Sequence, residues 1–159
     1  MRTIVVIAAA LALASPVYAQ KSGVVSGFSR TTKKEDVNRR NPDGSTPLQW
    51  AVYNGDVTEA KRLLRAGADV TIANKYGASP MMLAAEVGNA EMLKVLLEAG
   101  ANADSPNPDG QTALLAVART GNVEAAQLLL DHGAVVDAKE TFGGQTPLMW
   151  ASARRHPRR

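Results

Sequence analysis

The chain has 159 residues, 45% hydrophobic but only 4% aromatic, which suits one domain with a core of Leu, Ala, Val and Met. It contains no cysteine, which excludes disulfides, thiolate nucleophiles and Cys-based zinc sites. The formal charge of +3 is unevenly spread: residues 43–142 carry 7 Lys or Arg against 13 Asp or Glu, residues 1–42 carry 7 against 2, and the C-terminus adds four arginines. An acidic body between basic ends has no basic stripe with which to track nucleic acid.

Residues 1–19 read as a signal peptide. Arg2 supplies the positive start, Ile4 to Ala14 is an apolar run of 11 residues, and Val17-Tyr18-Ala19 fits a small-x-small cleavage site. Eleven residues fall short of the roughly 20 needed to span a bilayer as a helix. The expectation is a periplasmic or secreted chain, cleaved near Ala19, with no transmembrane segment once mature. Residues 20–42 follow as an N-terminal arm and degenerate partial repeat, in which Asp36-Val37-Asn38 lies 33 residues before Asp69-Val70-Thr71.

From residue 43 the chain repeats itself. Gly44-Ser45-Thr46-Pro47-Leu48 recurs as Gly77-Ala78-Ser79-Pro80-Met81 and Gly110-Gln111-Thr112-Ala113-Leu114, at steps of 33 residues. It returns as Gly144-Gln145-Thr146-Pro147-Leu148 after a step of 34, so one residue is added around Thr141-Phe142-Gly143. A period of this length marks stacked supersecondary units.

Each unit has the same grammar. Asp43-Gly44 signals a turn, and Thr46-Pro47 places a hydroxyl at an N-cap and proline at the first helical position, where its missing N–H costs nothing. Gly55 breaks this first helix and Asp56 caps a second, whose Val57, Ala60, Leu63 and Leu64 fall on one face. Gly67 sits where a left-handed C-cap belongs. The units predicted this way are 43–75, 76–108 and 109–142. Residues 143–159 form a truncated fourth repeat and basic tail, with no breaker glycine and no second helix.

The stretch Gly44-Ser45-Thr46-Pro47-Leu48-Gln49-Trp50-Ala51, with Leu63-Leu64-Arg65-Ala66-Gly67-Ala68-Asp69-Val70 downstream, resembles the ankyrin-repeat family, in a secreted or periplasmic bacterial form. The resemblance covers roughly residues 36–153. It implies an all-α solenoid of helix-turn-helix units with protruding β-turn loops, about three full repeats plus partial terminal ones. The chain departs from the family in two places. The family's histidine after Thr-Pro-Leu, which links repeats, is replaced by Gln49, Met82, Leu115 and Met149, so that link is expected to be missing or altered. The fourth unit also leaves the flank of the third partly uncovered, through loss of a C-terminal cap, or else for a partner or second copy to cover.

No constellation for catalysis emerges. His132 and His156 are the only histidines; the first suits a helix C-terminus, the second a basic tail. Zinc needs three or four convergent ligands, and Asp43 and Asp109 on separate turns are too few oxygens for calcium. Glu86 and Glu91 straddle the Gly88 break, and Trp50 and Trp150 read as packing residues. No catalytic residue, metal site or cofactor is expected.

The resemblance implies a concave groove built from loop tips and first helices, and places its variable positions at Tyr53, Asn54, Lys75, Tyr76, Glu86, Gln111 and Arg119, with Phe142 and Gln145 continuing the row. Tyr53 and Tyr76 are amphipathic aromatics that core packing does not require, and Tyr and Arg are common interface anchors. The expected function is non-enzymatic: an exported protein that holds a protein partner in the groove as adaptor, inhibitor or stabiliser. No specific nucleic acid is expected; self-association through the uncapped C-terminal end is the further partner reading. The alternative is a truncated repeat-array fragment with no present binding function.

Overall fold

The helices begin where the hydroxyl caps predict. The computed structural model describes residues 37–155, so the expected signal peptide, most of the arm and the last four residues lie outside the described residues. In chain order the helices are α1 (Pro47–Tyr53), α2 (Val57–Arg65), α3 (Pro80–Val87), α4 (Ala90–Glu98), α5 (Ala113–Thr120), α6 (Val123–Asp131) and α7 (Pro147–Arg155), with no strand among the described residues.

Thr46, Ser79 and Thr112 cap α1, α3 and α5, each hydroxyl accepting from a backbone N–H of the first turn. Asp56, Asn89 and Asn122 do the same for α2, α4 and α6. Gly88 and Gly121 end α3 and α5 in the left-handed conformation that the glycine punctuation foretells.

Stacking follows from which faces are apolar. α1, α3, α5 and α7 pack in succession as an inner row, and α2, α4 and α6 as an outer row. In α3, Pro80 to Ala85 are all buried, because this helix has α1 on one side, α5 on the other and α4 behind. Small residues such as Ala84, Ala85 and Ala116 let these short helices approach closely. Met92, Leu93 and Leu96 fill the space between the rows and are fully buried.

Each finger between units is closed by one backbone pattern. Asn41, Asn74 and Asn107 each donate N–H to the carbonyl four residues on, at 2.9, 3.0 and 2.9 Å. The side-chain carbonyls of Asn74 and Asn107 then accept two N–H groups of their own turns. The fourth finger is one residue longer, its N–H bond running from Glu140 to Gln145. Here a longer side chain replaces asparagine: the Glu140 carboxylate accepts from the N–H groups of Phe142 and Gly143 at 2.7 Å and Gln145 at 3.3 Å.

Fingers are also tied to each other. The Lys75 N–H donates to the Asp43 carbonyl and the Thr141 N–H to that of Asp109, both at 3.0 Å. Between them Pro108 has no N–H to give. Its ring instead lies over Gly77 (φ +76°), where an added Cβ would stand 2.1 Å from Pro108 Cδ.

The inter-repeat link expected to be missing or altered is present in altered form in the first unit. Gln49 is buried; its Nε2 donates to the carbonyls of Ile72 (3.0 Å) and Ala78 (2.7 Å), while its Oε1 accepts from the Thr46 N–H (2.9 Å). One amide therefore completes a capping box and ties two repeats. Met82 and Leu115 at the equivalent places are buried apolar residues, and Met149 is exposed.

Candidate partner-binding surface

The first helices present a row of register-equivalent side chains at their C-terminal ends: Tyr53 in α1, Glu86 in α3 and Arg119 in α5. Three residues earlier, on the same helical face, stand Trp50 in α1 and its counterpart Trp150 in α7. Trp50 is half-buried, donates its ring N–H to the Ser45 hydroxyl at 3.1 Å, and meets the Tyr53 ring edge-on at 6.1 Å. The base of the first finger and the end of α1 thus share one surface.

Further along, Glu86 is half-buried. Burial pushes its carboxyl above the ordinary range, and the positive charge of Arg119 pulls in the opposite direction. Arg119 in turn lies over the Trp150 ring, 5.7 Å from its centre. The arginine therefore faces an acid in the unit before it and an aromatic ring in the unit after it. Neither tryptophan is only a packing residue: Trp50 anchors a finger and Trp150 receives a cation.

The remaining sequence-predicted residues lie at the finger tips and turns. Lys75 and Tyr76 are exposed at the tip of the second finger, backed by the Asp43 bond. Asn54 is the exposed C-cap of α1. Gln111 is half-buried and its backbone N–H is held by Asn107. Phe142 is exposed on the fourth finger. The structure thus joins Tyr53 to Trp50, and Glu86 to Arg119 to Trp150, while Lys75, Tyr76 and Phe142 project from separate fingers.

Two residues with structural roles escaped the sequence reading. Trp150 as the seat of Arg119 is signalled only by its register with Trp50. Glu140 was detectable as the acid that breaks the series Asn41, Asn74, Asn107. Its carboxyl is held below the ordinary range, first by the Phe142 N–H and then by the other backbone donors of the turn.

The outer side offers little for chemistry. An open groove of about 420 Å³ between α4 and α6 is lined by charged residues that include Glu91, Lys94, Glu124 and Asp131. Among the described residues no group of three or more His, Asp or Glu is arranged to hold a metal, and no helix is long and apolar enough to cross a membrane. His132 caps α6, its Nδ1 hydrogen-bonded to the Leu128 carbonyl at 2.8 Å, which requires the proton on that nitrogen.

Stacked helix pairs with linked fingers define a repeat solenoid. A family model for ankyrin repeats (three copies) matches residues 17–107 and 99–158. The chain belongs to the ankyrin-repeat family, whose members are generally protein-interaction modules. The match reaches further at both ends than the residues that carried the sequence resemblance. It takes in residues 17–35 and the start of the basic tail.

Proposed function

We propose that this protein is an exported, non-enzymatic binding module that holds a protein partner along the row of first helices and fingers. The supporting observation is the surface made by Trp50, Tyr53, Glu86, Arg119 and Trp150: aromatic rings and opposite charges on one face, with exposed Tyr76 and Phe142 on the adjoining fingers. Rigid aromatic anchors supply contact area at low entropic cost, and the charges select a partner more than they tighten it. Export rests on the signal-like residues 1–19.

The test is a pull-down from periplasmic extract with the parent and a Tyr53→Ala/Lys75→Ala/Tyr76→Ala variant. Arg119 stays intact, since its removal would also disturb α7. One stoichiometric protein captured by the parent and lost from the variant is the expected result. Equal capture by both would overturn the groove as the site. Mass spectrometry of the expressed protein should find an N-terminus at Gln20; an unprocessed Met1 would overturn export by cleavage.

A second reading, a repeat-array fragment without a partner, draws on the exposed apolar residues of the fourth unit, Leu148 and Met149. A broad, weakly cooperative thermal transition, with no specific capture, is what it requires.

A further inference from the structure

One end of the stack is apolar and open. Leu148 is 74% exposed, whereas its counterparts Leu48, Met81 and Leu114 are at most 4% exposed. Val136 is 60% exposed, against 1%, 9% and 4% for Val37, Val70 and Ala103. Met149, Leu130 and Val123 are exposed beside them, and Val123 (80%) is the counterpart of half-buried Val57 and Ala90. These five side chains, from α6, the following loop and α7, sit at the positions that elsewhere receive the next repeat. The face therefore continues the interface that joins α1 to α3 and α3 to α5.

We infer that this flank is a self-complementary docking face, occupied by the same flank of a second copy of this chain about a two-fold axis. The first reason is that continuity. Its side chains already have the spacing and apolar character that match a repeat of this kind.

The second reason is that the opposite end is closed. Val37, Leu48, Val52 and Ala60 are buried, and among the described residues the first unit exposes no large hydrophobic side chain except Tyr53. Head-to-tail stacking thus has no second apolar face to use. Pairing of like with like, which closes on itself, remains.

Charge then chooses between the two ways of laying one α7 on another. The helix runs from an apolar start to Arg154-Arg155, and the finger before it carries Asp137 and Glu140. Parallel helices would put four arginines together. The antiparallel arrangement brings each arginine end towards the second copy's acidic finger, and also opposes the helix dipoles.

The experiment is sedimentation of the full 159-residue chain over a dilution series of about a hundredfold, which spans most of a two-chain equilibrium. The expected mass is that of two chains at the top of the series, falling towards one. Leu148→Glu and Val123→Glu should each stay at one chain throughout with the circular dichroism of the parent. Both residues project into solvent, and Val123→Glu alone decides if Leu148→Glu alters the spectrum. The apolar run at Ile4–Ala14 is intact in both variants, so association through it would survive the substitutions and overturn the inference.

Because the chain has no cysteine, single-cysteine variants report geometry directly. Met149→Cys should oxidise to a covalent pair and Thr58→Cys, at the far end, should not. A one-chain mass at every dilution, or equal cross-linking by both variants, overturns the inference.

Discussion

The second and fourth units are built from the same letters and have opposite fates. Ser79-Pro80-Met81-Met82 and Thr146-Pro147-Leu148-Met149 begin helices in the same way, yet Met81 and Met82 are buried while Leu148 and Met149 face outwards. The difference lies in the neighbours: α3 has α1 and α5 on its two sides, whereas α7 has α5 on one side only. In a solenoid, burial is a property of position in the stack more than of the residue.

The sharpest test of that contrast is a pair of leucines. Leu96→Ala in α4 removes a fully buried side chain from the central unit and should cost about 3 kcal/mol in urea unfolding. Leu148→Ala, measured on dilute protein, should fall within about 0.5 kcal/mol of the parent, as surface substitutions do. Equal losses would mean that the flank is covered.

A pair of glycines separates linked fingers from free ones. Gly77→Ala meets both a left-handed backbone and the Pro108 ring, and should cost about 3 kcal/mol. Gly100 has a similar φ of +87° with nothing within 4 Å of an added Cβ, so Gly100→Ala should cost only about 1 kcal/mol. Similar values at the two sites would show that Pro108 yields freely and that the second and third fingers are not coupled.

Gln49→Met imports the residue that the second unit carries at the same register. Met82 works there because nothing around it depends on an amide. At residue 49 the change strands the carbonyls of Ile72 and Ala78 and the Thr46 N–H, and a loss of about 2 kcal/mol is expected. A neutral result in the same urea titration would mean that water replaces the amide without cost.

The two perturbed glutamates respond to acid in opposite directions. Glu140 has its carboxyl depressed below the ordinary value of 4.5 by backbone donors, so its contribution is present above that pH and lost as pH falls through the lower folded value. Glu86 has its carboxyl raised by burial, so the folded state is favoured below pH 4.5 and loses that advantage as pH rises through the folded value. Glu140→Gln should therefore weaken the protein at neutral pH and flatten the acid side of its stability profile. Glu86→Gln should leave neutral stability unchanged or improved. Identical pH profiles for parent and Glu140→Gln would remove the carboxylate from the fourth finger's account.

Most of the architecture was legible because local chemistry and period agree. Thr46, Ser79 and Thr112 start helices, glycines stop them, and a 33-residue step needs stacking to bury its apolar faces. The candidate site was legible only as exposure. Tyr53 and Tyr76 stand out because no core position asks for them. The bonds that organise the surface cross unit boundaries, and a side chain's reach into the next unit has no periodic signature. Gln49 shows the limit. A family habit of histidine predicted a lost link, whereas an amide with one acceptor and two donor hydrogens supplies it by another geometry. Glu140 had a signal, since an acid in an asparagine series coincides with the one added residue, but its meaning depends on how far a carboxylate reaches across a longer turn.

The smallest expected effect falls on the contact that ties the proposed binding row to the open end. Arg119→Ala removes the cation over Trp150, an interaction worth about 0.5–1 kcal/mol at a partly exposed site. The loss should appear in global stability only weakly. It should appear clearly in fluorescence, because the chain has only two tryptophans and a Trp50→Phe background leaves Trp150 as the sole reporter. In that background Arg119→Ala should shift Trp150 emission, and Arg119→Lys should restore it in part, since an ammonium keeps the charge but loses the flat stack. Glu86→Gln should move the same signal less, because the glutamate acts on the arginine's surroundings and not on the ring. If Arg119→Ala leaves Trp150 unchanged, α7 is held by α5 packing alone, and the binding row and the open flank behave as independent surfaces.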